Sequence, residues 1–221
     1  DCDTALTNKR VEGSVTDLVR AARLQSKGTK LNFPIATFAY WQIISNKRSR
    51  ISELKQLSDK MIAITRYSAT DYLATLAIDS VHPKYDVYRV QINDVNIRLK
   101  MLLNNEMDAV LLSEPQATRA RLEGHVKLMD SRDKNVRLGV FAFRTEALKE
   151  PRRKQQLDLF IKAYNMAVDS INKNGVQHYK NLIIKNCGVD ARTVDALPKL
   201  RYQHAGSPRK HDRNIANSIK N

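Results

Sequence analysis

The hydrophobic and polar positions of the chain alternate between two periods. Residues 60–65 form a short apolar run typical of a buried strand, and residues 69–76 follow with apolar side chains at i, i+3, i+4 and i+7, the spacing of one helical face. The succession recurs downstream, where residues 85–91 alternate with period two and residues 95–103 return to helical spacing. Strands that alternate with helices in this way predict parallel α/β units.

The remaining elements follow from the same patterns. Further strands are expected at residues 35–39, 41–44, 108–112 and 137–143. From Pro151 onward the spacing is helical, through residue 169 and again over residues 178–185. The last stretch, residues 202–221, is polar and basic with little apolar pattern, and we expect it to be loosely packed.

Two segments of the chain contain the same features in the same order. Residues 6–17 and 102–114 each contain a helix end, an Asn able to adopt the left-handed conformation of a helix C-terminus, a short strand, and a hydroxyl residue beside an acid. These final pairs are Thr16-Asp17 and Ser113-Glu114. Because side chains at the carboxyl ends of strands line the crevice of open α/β sheets, we expect both pairs to face a shared cleft.

A third segment, residues 68–71, also combines hydroxyl and acidic residues at a point where a helix follows a strand. Ser68 follows a strand and opens a helix, and Asp71 stands three residues later, as in a capping box. The backbone amides there, at Ala69 for example, and the hydroxyl groups of Ser68 and Thr70 suit an anion, which a helix N-terminus favours. The alternative is that each of these hydroxyl residues serves only as a helix N-cap.

The net charge of the chain bears on which partners the protein could bind. The 221 residues contain 38 Lys and Arg against 23 Asp and Glu, a net charge of +15, so binding to nucleic acid has to be considered. The densest basic clusters, residues 47–50 and 152–154, are not interleaved with aromatic side chains, so we expect solvated faces and no specific nucleic-acid partner. The longest apolar stretch, residues 33–41, is too short to cross a bilayer, so no transmembrane segment is expected.

Cysteine and histidine usage argues against metal chemistry. Cys2 and Cys187 lie at opposite ends of the chain and form no CxxC pair, which excludes zinc-ribbon and disulfide-framework classes. The five histidines lack the spacing of metal ligands. We therefore expect neither a metal nor a cofactor.

Four segments, in this order, resemble the type 2 periplasmic solute-binding proteins of ABC importers. They are Val-Thr-Asp-Leu at 15–18, Ile-Ser-Glu-Leu-Lys-Gln-Leu-Ser-Asp-Lys-Met-Ile-Ala-Ile at 51–64, Ser-Ala-Thr-Asp-Tyr-Leu at 68–73 and Asn-Glu-Met-Asp-Ala-Val-Leu-Leu-Ser-Glu-Pro at 105–115. More narrowly, they resemble the group that binds sulfonates, nitrate and thiamine precursors (NMT1/THI5-like). The resemblance extends over about residues 1–196. Family members usually begin with a strand, a helix and a strand ahead of the helix whose end is formed here by residues 2–8, so the resemblance implies that this opening unit is missing here.

The resemblance implies an α/β fold of two lobes joined by crossing strands. Residues 1–46 and 137–221 would form lobe 1, without its opening strand-helix-strand, and residues 47–136 would form lobe 2. A ligand would then lie between the lobes. The residues implied to bind it are Thr16, Asp17, Ser68, Ala69, Thr70, Glu114 and Trp41. For Trp41, which could stack on a flat ring together with Tyr40, packing in the core or hinge is the alternative.

The implied function is solute capture for transport rather than catalysis. The chain would bind a small anionic or heteroaromatic solute of the sulfonate, nitrate or pyrimidine class and deliver it to a membrane permease and its ATPase. It would lie in the periplasm or be anchored outside the membrane as a lipoprotein. Two alternatives stay open: a pyrimidine-precursor synthesis enzyme of the same group, which the scarcity of cysteines argues against, and the effector-binding lobe of a transcriptional regulator.

Overall fold

The computed structural model describes residues 2–219, which form a mixed five-stranded sheet and an antiparallel three-stranded sheet surrounded by helices. The strands are β1 (Gly13–Asp17), β2 (Leu31–Ala36), β3 (Gln42–Ser45), β4 (Met61–Ile64), β5 (Tyr88–Gln91), β6 (Ala109–Leu112), β7 (Val126–Asp130) and β8 (Gly139–Arg144). The α-helices are α1 (Cys2–Thr7), α2 (Leu18–Ser26), α3 (Ala69–Val81), α4 (Val95–Leu103), α5 (Gln116–Leu122), α6 (Pro151–Asn174), α7 (Lys180–Cys187), α8 (Ala191–Asp195) and α9 (Lys210–Ser218). None of these helices is long and apolar enough to serve as a membrane span.

The larger sheet has five strands in the order β5-β4-β6-β3-β7, and we call the unit built on it lobe 2. Strand β4 is parallel to both β5 and β6, whereas β3 is antiparallel to β6 and β7. All four side chains of β6 are fully buried because helices cover both faces of the sheet. This explains why the central strands read as continuous apolar runs rather than as alternating patterns.

The smaller sheet has three strands in the order β1-β8-β2, and we call its unit lobe 1. Strand β8 is antiparallel to both neighbours, just as β3 is in the core of lobe 2. In chain order, β3 follows β2 into lobe 2, and β8 follows β7 back into lobe 1. The two lobes are thus α/β units joined by crossing strands, as the family resemblance implies.

The ends of α1 and α4 have the same backbone geometry. Lys9 and Asn105 adopt left-handed conformations with φ of 59° and 62°. In both turns the N–H of the following residue donates to the carbonyl oxygen five positions earlier, at 2.8 Å, which is the Schellman arrangement. The sequence repeat is therefore a structural repeat. Our assignment of Asn8 to the left-handed position was wrong, because Lys9 takes that place.

Most predicted elements form within a few residues of their expected bounds, and two strands differ for identifiable reasons. Strand β5 begins at Tyr88 rather than at residue 85, because Met61, where its partner β4 begins, pairs with Tyr88. Strand β2 begins at Leu31 rather than at residue 35. Its pairing with β8 shifts register around Pro34, which has no N–H to donate to a ladder.

The C-terminal segment differs from the prediction of loose packing. It contains α9, which packs against α2 and contributes Ala216 to the main core. Asp212 is fully buried and accepts hydrogen bonds from Arg209 Nη2 at 2.8 Å and from the Arg137 N–H at 3.1 Å. A buried carboxylate with these partners orders a segment whose apolar content is low. Residues 220 and 221, which the prediction included, lie outside the described part of the chain.

One apolar cluster connects the two lobes. Leu18 and Val19, at the start of α2, belong to the same buried cluster as Ala69 and Leu73 of α3. Because α2 belongs to lobe 1 and α3 to lobe 2, the lobes are packed together where both helices begin. This junction lies at the carboxyl ends of β1 and β4.

Candidate functional site

Asp17 lies at the junction between the lobes, where β1 ends and α2 begins. Its side chain caps α2, with Oδ1 accepting the N–H groups of Val19 at 2.9 Å and Arg20 at 3.0 Å. The residue is only 7% exposed. The sequence analysis considered the hydroxyl residue Thr16 as the N-cap, whereas Asp17, also a preferred N-cap residue, takes that role.

A second helix N-terminus acts on the same carboxylate. The backbone N–H of Ala69, in the first turn of α3, stabilises the charge of Asp17 from lobe 2, and Arg20 adds a favourable Coulomb interaction. Burial outweighs these effects and raises the pKa of Asp17 to about 6. The start of α2, which Asp17 caps, is thus packed against the start of α3 across the lobes.

The hydroxyl groups of Ser68 and Thr70 form hydrogen bonds with the loop ahead of α3. Ser68 is the N-cap, with its Oγ accepting the Thr70 N–H at 3.1 Å and donating to the Thr65 carbonyl at 2.7 Å. Thr70 Oγ1 accepts the Thr65 N–H at 2.9 Å. Asp71 does not complete a capping box on Ser68, because its carboxylate accepts the N–H of Tyr67 instead. Both hydroxyl groups thus have protein partners at this helix start.

Thr16 differs from the other predicted site residues in having an unused polar group. Its backbone lies opposite Val140 in the pairing of β1 with β8. Its Oγ1 is buried and has no hydrogen-bond partner within residues 2–219. A buried hydroxyl group without a partner carries a free-energy cost, so this atom is available to a polar group that enters the junction.

Glu114 belongs to a separate polar cluster, at the carboxyl end of β6. Its Oε1 accepts Tyr40 Oη at 3.1 Å and Arg121 Nη2 at 3.0 Å, and its Oε2 accepts the Thr118 N–H at 2.9 Å. The side chain is 9% exposed. Desolvation, followed by the nearby charge of Glu114, raises the pKa of Tyr40. Glu114 therefore has three protein donors on its two oxygens, whereas the sequence analysis expected it to accept from a ligand.

Trp41 and Tyr40 lie on the connection between the lobes. The Trp41 backbone exchanges two hydrogen bonds with Ser131, at 3.0 and 2.9 Å, while its ring packs against the main apolar cluster. The Tyr40 ring lies 3.8 Å below the Arg132 guanidinium. Both aromatic side chains are thus packed against other parts of the protein.

Arg98 is a buried cation that the sequence analysis missed. It is 4% exposed, and burial lowers its pKa to about 10. Its guanidinium donates to the carbonyls of Leu111 at 2.8 Å and Ile92 at 2.6 Å, and to Thr65 Oγ1 at 3.1 Å. A signal was present in the sequence, since Arg98 interrupts the apolar stripe of α4. The residue connects the loops that follow β4 and β5 to strand β6.

A cavity of about 830 Å³ opens between the lobes, and its lining includes Thr65 and Tyr67 from the loop ahead of α3 but none of the site residues predicted from the sequence. Lobe 1 lines it with Arg20 and Arg23, and lobe 2 lines it with Arg66 and Tyr67. Arg20 forms a 2.7 Å ion pair with Asp3, and the Arg23 guanidinium lies 3.7 Å from the centre of the Tyr67 ring. The positive groups on its walls give the cavity the electrostatic character of an anion site.

Metal ligands are not grouped in this structure. Among residues 2–219 there is no cluster of three or more His, Cys, Asp or Glu side chains able to hold a metal ion.

Comparison with known proteins identifies the architecture. No protein-family model matches the chain, and no curated protein matches it by sequence. Among solved structures, the periplasmic aliphatic sulphonate binding protein SsuA of Escherichia coli is similar, with a TM-score of 0.75, 15% identity, and coverage of 96% of this chain and 74% of that one. The alkanesulfonate-binding protein SsuA of Xanthomonas axonopodis pv. citri, bound to MOPS, has a TM-score of 0.76 at 15% identity over 97% of this chain and 75% of that one.

A third similar structure is the ligand-binding component of an ABC-type import system from Staphylococcus aureus. It has a TM-score of 0.75 and 14% identity over 96% of this chain and 74% of that one. At these identities the likeness concerns the fold, and it agrees with the strand order and crossing strands described above. The chain has the fold of the periplasmic solute-binding proteins.

Proposed function

We propose that this protein is the solute-binding component of an ABC-type importer and that it captures a small anionic or heteroaromatic solute between its lobes. The observation that carries this proposal is the arginine-lined cavity at the junction of the lobes, beside the N-terminus of α3. Clefts between domains are preferred ligand sites, and their volumes are commonly about 300–1,000 Å³. The architecture shared with sulfonate-binding and import proteins supports the same role.

Two side chains in the cavity favour a negatively charged solute. Neither Arg23 nor Arg66 has a carboxylate partner among residues 2–219, and both line the cavity. Asp94 also lines it, but its Oδ1 is used to cap α4 by accepting the N–H groups of Asn96 at 2.7 Å and Ile97 at 3.1 Å. Guanidinium groups bind sulfonate and carboxylate oxygens through charge-assisted hydrogen bonds. The exposed ring of Tyr67 offers a surface for a flat heterocycle.

The proposed solute site combines this cavity with the junction beside it. Thr16, Asp17, Ser68, Ala69 and Thr70 would form its inner end. Glu114 and Trp41, which the sequence analysis expected to bind solute, would act indirectly, through the connection between the lobes on which Tyr40 and Trp41 lie. The partners would be a membrane permease and its ATPase, and the location would be the periplasm or a lipoprotein anchored outside the membrane.

Calorimetry on the purified protein tests the proposal. The titrants are methanesulfonate, nitrate and a hydroxymethylpyrimidine, one for each solute class, and we expect at least one of them to bind with a Kd below about 1 mM. The Arg23→Gln substitution should weaken binding of the anionic titrants about tenfold or more, because a charge-assisted hydrogen bond is lost. Arg48→Gln is the matched control, an exposed arginine outside the cavity. Absence of binding by all three titrants, or equal loss in both variants, would refute the proposal.

A further inference from the structure

Strand β1 lies at the edge of the lobe 1 sheet, and one side of its backbone has no strand partner within residues 2–219. The Arg144 N–H donates to the Glu12 carbonyl at 2.8 Å, which identifies the residues of this segment that bond to β8. Because antiparallel pairing uses alternate residues, the even-numbered positions of β1 turn their backbone groups toward β8. The N–H and carbonyl groups of Gly13 and Val15 therefore point away from the sheet.

The opposite edge of the same sheet is closed. Strand β2 contains Pro34, which has no N–H, and the Ala36 N–H donates to the Gly206 carbonyl at 2.7 Å. A proline or a covering segment at an edge prevents the addition of a further strand. Strand β1 has the sequence Gly-Ser-Val-Thr-Asp, without Pro or Lys, and Val15 is 61% exposed. The edge of β1 is thus open to strand addition.

An apolar groove runs beside this open edge. Residues directly opposite one another in a ladder share a face of the sheet, so the Val15 side chain lies on the same face as that of Phe141. The ring of Phe160, from α6, lies 5.8 Å from the Phe141 ring and 6.3 Å from the Phe143 ring. These four residues border a groove of about 440 Å³ between β1 and α6. A strand added to β1 would place every second side chain on this face.

The apolar surface continues along α6. Leu159 and Met166 are 62% and 63% exposed, and with Ala163 they stand at i, i+4 and i+7, next to Phe160. Only two of the 24 residues of α6 are buried. Single exposed apolar residues are ordinary, but a stripe that borders both a groove and an open strand edge marks an interaction surface.

The charges around this surface favour an acidic partner over a second copy of the chain. Four charged side chains in the first half of α6 are exposed, and three of them are basic: Arg152, Lys154, Asp158 and Lys162. Arg153, which lines the groove, is paired with Glu12 at 3.1 Å. Two copies joined at β1 would bring the cations of both α6 helices together, whereas acidic side chains would meet opposite charges.

We propose that the edge of β1 and the groove beside it form a docking site for an extended segment of a partner protein, one that alternates apolar with polar side chains and has acidic residues at its ends. Its backbone would pair with Gly13 and Val15, its apolar side chains would enter the groove, and its acidic residues would meet the cations of α6. In strand addition the backbone hydrogen bonds provide affinity, and pockets for alternate side chains provide specificity. This inference does not depend on which solute the protein binds.

The probe is a fluorescein-labelled peptide, Glu-Val-Thr-Val-Thr-Phe-Glu, titrated with the 221-residue protein and followed by fluorescence anisotropy. We expect a Kd below about 100 µM at a salt concentration of about 0.15 M. The same peptide with Lys at both ends should bind at least about tenfold more weakly, because its charges repel those of α6. Absence of binding by the Glu peptide, or equal affinities of the two peptides, overturns the proposal.

Backbone pairing is tested on the wild-type protein with two methylated peptides. One carries N-methyl groups on both valines and the other on both threonines. Because a strand presents alternate N–H groups to its neighbour, one of these peptides should lose about tenfold or more in affinity and the other should bind like the parent. Equal affinities of the two methylated peptides would show that no strand is added.

Protein variants locate the site. Val15→Pro removes an outward N–H without breaking a bond to β8 and should weaken binding of the Glu peptide about tenfold, whereas Val15→Thr keeps the N–H and should change it by less than about threefold. Phe160→Ser should weaken binding about tenfold, and Leu182→Ser, at an exposed position on α7, should leave it unchanged. Equal affinities within either pair contradict the proposed site. Sedimentation equilibrium completes the test: a wild-type dimer that Val15→Pro dissociates would assign the edge to a second copy and overturn the proposal.

Discussion

Lys9 and Asn105 occupy equivalent left-handed positions at the ends of α1 and α4, with φ of 59° and 62°. In each lobe the turn leads directly into a strand, β1 or β6, whose carboxyl end carries a hydroxyl-acid pair. The two turns therefore position Asp17 and Glu114 by the same backbone geometry. The left-handed conformation is more strained at Lys9 than at Asn105, since Asn tolerates it better than Lys.

Replacement of Lys9 by Gly should stabilise the protein. The left-handed conformation costs a non-glycine residue about 1 kcal/mol, whereas Gly adopts it without strain. The Lys9–Glu146 ion pair that is lost is exposed on both sides and contributes little. We expect the free energy of unfolding in urea to rise by about 1 kcal/mol. Asn105→Gly is the comparison variant and should change it less, and a loss of stability in Lys9→Gly would contradict this account.

The buried carboxyl group of Asp17 should make stability depend on pH in an unusual direction. Its pKa is raised from 3.8 to about 6, so the folded protein binds this proton more tightly than the unfolded chain does. The stabilisation is fully present below pH 3.8 and is lost as the pH rises through 6. For a shift of this size the contribution is about 3 kcal/mol.

Urea denaturation at several pH values between 4 and 7.5 measures this effect. The difference in unfolding free energy between Asp17→Asn and the wild type isolates Asp17 from the other titrating groups. That difference should grow in favour of the variant as the pH rises. A difference that is constant across the range would show that the carboxyl group titrates normally in the folded protein.

The hydroxyl groups at the start of α3 should contribute to both stability and binding. Ser68→Ala and Thr70→Val each remove a hydrogen bond to the Thr65 backbone, and Ser68→Ala also removes the N-cap, so each should lower the unfolding free energy by about 1 kcal/mol. Binding of methanesulfonate should weaken too, because the α3 N-terminus loses its defined geometry. Thr75→Val, which removes a hydroxyl bonded to the Asp71 carbonyl at 3.1 Å in the same helix, should spare binding. If all three variants bind methanesulfonate with equal affinity, Ser68 and Thr70 do not contribute to the site.

Arg98 should be among the polar side chains on which stability depends most. Arg98→Ala leaves the buried carbonyls of Leu111 and Ile92 without this donor, and the expected loss of unfolding free energy is about 3 kcal/mol or more. Lys100→Ala, which removes an exposed cation from the same helix, is the control and should change stability by less than about 0.5 kcal/mol. Similar effects of the two substitutions would mean that the guanidinium is not needed to hold the loops after β4 and β5 against β6.

Much of the local structure could be predicted from the sequence because short-range rules determine it. The strand over β4, the helix α3 and its N-cap Ser68 follow from apolar spacing and capping preference, and all three form as expected. The helix in the C-terminal segment could not be predicted in this way. It depends on the hydrogen bonds that Asp212 accepts from Arg209 and from the backbone N–H of Arg137. Arg137 lies far from Asp212 along the chain.

By itself, the sequence determined the alternation of strands and helices, the repeat that places Asp17 and Glu114 at equivalent strand ends, and the excess of positive charge. Only the tertiary structure decided what those carboxylates do. Asp17 caps α2 and is buried at the junction of the lobes, whereas Glu114 is held by Tyr40, Arg121 and Thr118. The physical reason is that spacing and capping act over a few residues, while burial and its effect on a charge depend on which surfaces the folded chain brings together.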